Sequence, residues 1–215
     1  MDGPKHRSTI MSKQLLVDYT LFEVSPQQIN ESMARNNGRL IVKGVLQRAD
    51  AKNHNGRIYP RQTLMREAEK YASTFIKERR ALGELDHPDS SVVNLNNVSH
   101  NILEMNWNGN DLVGTVEVLS TPSGNILREL FKSGIKLGIS SRGMGSVKEV
   151  MREGEGSLEV QPDFELIAFD FVSNPSTQGA FLHPTKSINE SVNRVIENKY
   201  DKINRLITDI LTDIK

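Results

Sequence analysis

The run Ile102-Leu103-Glu104-Met105-Asn106-Trp107, the tripeptide Asn108-Gly109-Asn110 and the run Leu112-Val113-Gly114-Thr115-Val116-Glu117-Val118-Leu119 decide the fold class. The first run is the end of a strand-like tract that begins at Val92. An Asn-Gly step accepts positive φ, so the whole stretch predicts a β-hairpin. Working toward the C-terminus, Ile135 to Ser141, Ser146 to Met151 and Phe164 to Ser173 are three more strand candidates, with Gly154-Glu155-Gly156 turning between the last two. Toward the N-terminus, Arg39 to Leu46 is short, apolar and rich in β-branched residues, which again reads as a strand. Strands joined through hairpins favour an α+β architecture, mainly an antiparallel β-barrel surrounded by helices, over a doubly wound sheet.

Helices punctuate this pattern. From Pro60 onward Leu64, Ala68, Tyr71, Ala72, Phe75 and Ile76 recur at helical spacing, with the proline placed near a helix start. Pro122 to Lys132 carries Ile126, Leu127, Leu130 and Phe131 on one side and is closed by Gly134. Residues 1–35 are polar and broken and are set apart as an N-terminal segment, removed or disordered, leaving a body over 36–186. Residues 187–215 form a tail in which Ile188, Val192, Val195, Ile203, Leu206, Ile210 and Ile214 fall mostly on one stripe, a long amphipathic helix. Such a helix either docks on the body or serves as a removable, partner-binding element.

Composition narrows the chemistry. The 215 residues hold 27 basic and 27 acidic side chains, so no net charge draws the chain toward nucleic acid or an anionic membrane, and neither is expected as a partner. There is no cysteine, which excludes disulfides, thiolate catalysis and Cys-ligated zinc, and fits a reducing compartment. No stretch of about 18 apolar residues occurs, so a soluble protein that is not exported is expected.

Three places break the local pattern. In Gly83-Glu84-Leu85-Asp86-His87-Pro88, the proline restricts His87 to extended backbone. The histidine reads as a base or as an ordinary surface residue, and Glu84, Asp86 and His87 read more weakly as metal ligands. In Leu137-Gly138-Ile139-Ser140-Ser141-Arg142-Gly143-Met144-Gly145, hydroxyls end an apolar strand and run into a glycine-flanked arginine. Glycines there permit convergent N–H groups suited to an oxyanion, or merely a glycine-rich hairpin. In Phe164-Glu165-Leu166-Ile167-Ala168-Phe169-Asp170-Phe171-Val172, strict alternation sets Asp170 among Phe164, Leu166, Ala168 and Val172 on one face. A carboxylate in that place needs a partner, either a histidine or a structural Arg or Lys. Together these segments supply a nucleophile, a base and an orienting acid in the chain order His, Ser, Asp, which differs from the orders of the best-known serine hydrolases.

At these residues the chain resembles the prohead proteases of tailed bacteriophages, the capsid-maturation serine proteases of T-even-like phages, related in fold to herpesvirus assemblin. The resemblance spans roughly residues 39–184. It rests on Ala81 to Pro88, on Gly138 to Gly145, on Asp170-Phe171-Val172-Ser173-Asn174-Pro175-Ser176 and on Asn55-Gly56-Arg57-Ile58-Tyr59-Pro60. It implies a serine endopeptidase with His87 as base and Ser140 as nucleophile, with Ser141 as the alternative because adjacent strand residues face opposite sides. Asp170 takes the place of assemblin's second histidine, and N–H groups around Arg142 and Gly143 meet the oxyanion. No metal or cofactor is implied.

The family's cleavage pattern, Ile or Leu, any residue, then Glu, is similar to Ile29-Asn30-Glu31-Ser32 and Ile188-Asn189-Glu190-Ser191. Cuts after Glu31 and Glu190 are therefore expected to trim a zymogen and release the tail, which targets it to the scaffold until then. Ile102-Leu103-Glu104 and Leu127-Arg128-Glu129 match the same loose pattern inside expected elements. The implied substrates are phage scaffolding-core and capsid proteins, inside the assembling prohead in the host cytoplasm, and the resemblance admits a homo-oligomer. Two rivals stand beside this reading. A non-enzymatic capsid scaffold or assembly protein is favoured by the polar composition and the tail. A metal hydrolase on Glu84, Asp86 and His87 is the other.

Overall fold

A computed structural model describes residues 10–86, 90–152 and 154–173. The chain order is β1 (Gln14–Phe22), α1 (Pro26–Arg35), β2 (Leu40–Arg48), β3 (Arg57–Ile58), α2 (Arg61–Tyr71), β4 (Leu82–Glu84), β5 (Val98–Asn108), β6 (Asp111–Val118), α3 (Pro122–Lys132), β7 (Leu137–Gly145), β8 (Val147–Arg152), β9 (Glu155–Val160) and β10 (Glu165–Val172). The strands form three sheets, ordered β1-β7-β10, β2-β6-β5-β4 and β3-β9-β8. Every pairing between these strands is antiparallel except β3 with β9. Among the described residues a single bridge, Leu85 to Phe171, links the first two sheets. The α+β class and the antiparallel preference hold, but no closed barrel is formed among the described residues.

Local chemistry explains most elements. The β5–β6 hairpin closes through Asn108 opposite Asp111, with Gly109 at φ +58° in the first turn position, where a type II′ turn requires glycine. The helix α3 begins at Pro122 behind Thr121, whose hydroxyl accepts the Gly124 N–H, and ends before Gly134 at φ +71°. Ser25 and Gln28 form a reciprocal capping box that starts α1. The fused core sets Phe22, Phe131 and Phe171 against one another, Phe171 edge-on to both partners, and Tyr71 edge-on to Phe169. Such aromatic pairs contribute about 0.5–1.5 kcal/mol beyond burial.

Three expectations are corrected. Residues 10–35 do not stand outside the body. β1 pairs with β7 along its whole length, Gln14 opposite Gly145 through Phe22 opposite Leu137, with Leu16, Asp18 and Phe22 buried. Residues 92–97 are not strand: Val92 and Leu95 are exposed, and the strand starts at Val98 after a short 3-10 turn. Finally, β10 carries a bulge at Ile167, so Leu166 stands opposite Gly143 while Ala168 stands opposite Arg142. The extra residue breaks strict alternation and puts Leu166 out of phase with Ala168, Asp170 and Val172. The Leu166 N–H at the bulge is taken by the buried Glu67 carboxylate of α2 at 3.2 Å.

Candidate active site

β7 is the middle strand of its sheet, and its two faces carry different chemistry. Directly opposed residues of neighbouring strands share a face, with Cβ atoms about 4.5–5.5 Å apart. Tyr19, Ser140 and Asp170 therefore form one row across β1, β7 and β10, and Val17, Arg142 and Ala168 form the next row on that face. Asp18, Ser141 and Phe169 form a row on the opposite face.

On the Ser140 face both catalytic candidates are buried, Ser140 at 1% and Asp170 at 0% exposure, and the Ser140 Oγ has no hydrogen-bond partner among the described residues. Gly138, two positions before Ser140 on the same face, has no room for a side chain, because a Cβ there would run into the Tyr19 ring. The Asp170 carboxylate accepts from Arg142 Nη2 at Oδ1, 3.1 Å away, and from the Glu84 N–H at 3.0 Å, and it is ion-paired with Arg142, whose Nε lies 2.8 Å from Oδ2. A structural ion pair with arginine, one of the two partners expected for this carboxylate, is thus present. Burial lifts the Asp170 pKa to about 6, with the nearby Arg142 charge opposing and the Glu84 charge adding to the rise.

Arg142 is itself fully buried. Besides Asp170 it donates through Nη2 to Glu84 Oε1 at 3.0 Å and through Nη1 to the Ser90 carbonyl at 2.7 Å and, more distantly, to that of Val92 at 3.5 Å. Glu84, weighed from sequence as a metal ligand, is bound to this guanidinium and to the Asn94 N–H at 2.9 Å. Asp86 takes φ +70° and donates its N–H to the Phe171 carbonyl at 2.8 Å. His87, the expected base, lies outside the described residues, as do Glu190, Ser191 and residues 174–176 and 187–215.

The opposite face holds a polar clasp. Asp18, 1% exposed, accepts from Arg57 Nη1 at 3.1 Å, from Asn55 Nδ2 at 2.7 Å and from the Tyr59 hydroxyl. Burial, then the charge of Asp18, holds the Tyr59 phenol well above its ordinary range. Ser141 lies on this side, its Oγ donating to the Asp18 carbonyl at 3.4 Å. The segment Asn55 to Pro60, noted above as one block of the resemblance, owes its polar and aromatic residues to this clasp.

The structure bears on two further sequence expectations. Arg142 and Gly143 do not offer convergent amides. They sit in extended strand, opposite Val17 and Leu16 on one side and Ala168 and Leu166 on the other. Successive amides of an extended strand point in opposite directions and cannot meet on one oxygen. Gly143 is needed for room: a Cβ there would strike the Phe164 ring. The Glu31–Ser32 bond, expected as a trimming point, lies inside α1. Ser32 is 8% exposed and its Oγ both donates to and accepts from the backbone of Ile41, at 2.6 and 2.7 Å. Cleavage favours exposed, extended loops, so this bond is protected while the helix stands.

Sequence reasoning also missed residues. Tyr19 and Asp18 lie on β1, within the polar 1–35 segment whose composition does not read as a strand. A carboxylate inside Leu15-Leu16-Val17-Asp18-Tyr19 was the available signal, the same anomaly that exposed Asp170. His100 is fully buried, hydrogen-bonded by Nε2 to the Phe169 carbonyl and by Nδ1 to Ser99 Oγ, both at 2.9 Å. Burial depresses its pKa to about 3, the carbonyl bond partly opposing, so it is a neutral structural residue.

Comparison with known proteins gives a consistent result. The sequence profile of a family described as "Prohead core protein serine protease" matches residues 9–193. The chain is 33% identical over 155 residues, 71% of each chain, to the prohead core protein protease of Enterobacteria phage T4. It also resembles the solved structure of the bacteriophage T4 capsid assembly protease, with a TM-score of 0.65 and 25% identity over 77% of this chain and 100% of the other.

Proposed function

Because this chain belongs to the prohead core protein serine protease family, we propose that it is a serine endopeptidase in which Ser140 is the nucleophile, His87 the general base and Asp170 the orienting acid. Family membership supports a capsid-maturation protease. The observation that carries the catalytic assignment is the direct opposition of Ser140 and Asp170 on β7 and β10, with the Ser140 Oγ unpartnered among the described residues and Ser141 turned into the Asp18 clasp.

The chemistry is acyl transfer. Ser140 Oγ attacks the scissile carbonyl carbon as His87 takes its proton. The tetrahedral intermediate expels the amine, which recovers that proton from His87, and water then repeats the sequence on the acyl-enzyme. Asp170 fixes the imidazole tautomer and stabilises its cation. The buried cluster of Arg142, Glu84 and Asp170 carries two carboxylates against one guanidinium, so with both carboxylates ionised its net negative charge favours the imidazolium formed during attack.

The substrates are phage scaffolding-core and capsid proteins and the chain itself, cut after Glu in an Ile/Leu-x-Glu pattern within the assembling prohead. The bond after Glu190 releases the tail over 191–215. The test is intact-mass measurement of purified wild type, Ser140→Ala, Ser141→Ala and His87→Ala after incubation. Self-processing in wild type and Ser141→Ala, with none in the other two, supports the reading. Processing that survives in Ser140→Ala overturns it.

A further inference from the structure

We propose that Tyr19 and Leu21 of β1, with Gly138 of β7 and Val172 of β10, form the apolar subsite that reads the substrate side chain two residues before the cut. The proposal rests on the serine-protease reading above and assigns part of its specificity to named residues.

The Ser140 face is closed at one end and open at the other. At the closed end stands the row Val17, Arg142, Ala168, in which Arg142 and Ala168 are fully buried. The Ser90 carbonyl accepts from the Arg142 guanidinium at 2.7 Å, so the 90–92 loop closes over that row. At the other end stands the row Leu21, Gly138, Val172. Leu21 there is 44% exposed, and Tyr19, in the Ser140 row between the two ends, is half-buried. The Tyr19 ring reaches over β7 where Gly138 has no side chain, its Cδ2, Cε2 and Cζ being the atoms a Cβ at Gly138 would strike. The ring and Leu21 thus present apolar surface to solvent beside Ser140, bordered by Val172.

Chain geometry says which substrate residue meets this surface. Successive side chains of an extended peptide alternate, so the residue before the cut and the residue two positions earlier face the enzyme while the one between them points away. Two residues of extended chain span about 6.8 Å, the same repeat that separates the Ser140 row from the Gly138 row. A substrate that runs along β7 with the residue before the cut over Ser140 therefore sets the earlier side chain over Tyr19 and Leu21. The opposite direction would set it over the buried Arg142, beneath the 90–92 loop. A branched apolar side chain gains by leaving water on Tyr19 and Leu21, and a charged one loses its hydration there. The pattern Ile/Leu-x-Glu has this form, two specified positions flanking a free one, and in this chain Ile188 is the residue that the subsite would take before a cut after Glu190.

The test uses the full chain and three internally quenched peptides that share Asn-Glu-Ser and carry Ile, Ala or Asp immediately before it. The ratio of kcat/KM between two peptides cancels any change in nucleophile reactivity, so a variant that is merely less active leaves the ratio where it was. Wild type is expected to favour the Ile peptide over the Ala peptide by about tenfold or more. Tyr19→Ala is expected to bring that ratio below about threefold, and Tyr19→Phe, which keeps the ring, to preserve it. Leu21→Lys is expected to raise the Asp peptide relative to the Ile peptide by about tenfold. Leu21 is exposed, so this variant decides alone if Tyr19→Ala does not fold. Equal cleavage of the Ile and Ala peptides by wild type, or ratios that stay unchanged in both Tyr19→Ala and Leu21→Lys, overturn this proposal and leave the protease reading standing. Cleavage that survives in Ser140→Ala, or a wild type that cuts none of the peptides, overturns the protease reading instead.

Discussion

Ser140 and Asp170 stand directly opposite each other on adjacent antiparallel strands, both buried, with Tyr19 completing the row on the far side of Ser140. Residues 30 positions apart in sequence are thereby neighbours on one face of one sheet, and the next residue, Ser141, faces the other way. That pairing puts the two serines in different surroundings, Ser140 beside Asp170 and Ser141 beside Asp18.

Ser140→Ala is expected to lower proteolysis by about a thousandfold or more, the usual consequence of losing a nucleophile that acts as a unit with its base. Ser141→Ala is expected to keep most activity and to lose about 1 kcal/mol of stability with its buried hydrogen bonds. Initial rates on a purified core protein and urea denaturation of each variant measure both effects. Equal loss of activity in the two variants would sink the distinction.

Gly138→Ala places a methyl group into the Tyr19 ring, next to Ser140 in the row. Overpacking of this kind costs about 1–3 kcal/mol. The double variant with Tyr19→Ala is expected to recover part of that loss. A double-mutant cycle that is strictly additive would mean that the two side chains do not compete for the same space.

Asp18→Asn removes the charge facing a buried arginine, Arg57, and a bond to Tyr59. Breaking a buried pair from one side costs about 3–5 kcal/mol. Chemical denaturation is expected to show a loss of that size, and β1 is expected to lose amide exchange protection first. A loss below about 1 kcal/mol would show that the clasp does not hold β1.

Two buried groups oppose each other in acid. His100 has its pKa depressed to about 3, so between about pH 6.5 and 3 the unfolded chain binds a proton that the fold refuses, and stability falls as pH falls. Asp170 has its pKa raised to about 6, so between about pH 6 and 4 the fold binds a proton that the unfolded chain does not, and stability rises as pH falls. These contributions offset each other over about pH 4–6. Asp170→Asn is expected to steepen acid destabilisation there by up to about 1.4 kcal/mol per pH unit, and His100→Asn to flatten or reverse it. Urea midpoints from pH 6 to 4 check this. Parallel curves for all three proteins would contradict it.

What was legible in the sequence was local. The Asn-Gly hairpin, the Thr-Pro start and Gly134 stop of α3, and the apolar spacing of α2 each depend on a few adjacent residues, and each appears where that chemistry puts it. A lone carboxylate in an apolar run marked Asp170 because burying it is costly in any fold. The rest was set by distant partners. The bulge at Ile167 arises from β7 and from Glu67, which lies about a hundred positions earlier, and no alternation pattern reveals it. β1 was hidden because its polar residues are satisfied only by Asn55, Arg57 and Tyr59. Glu31-Ser32 matched a cleavage pattern, but a pattern of residue types does not report that the bond is helical.

The central claim, that Ser140 is the activated nucleophile, is tested most directly by fluorophosphonate labelling of the full chain followed by peptide mass mapping. A single phosphonyl adduct on Ser140, abolished in His87→Ala, is the predicted result. An adduct on Ser141, or labelling that persists undiminished in His87→Ala, would contradict the account.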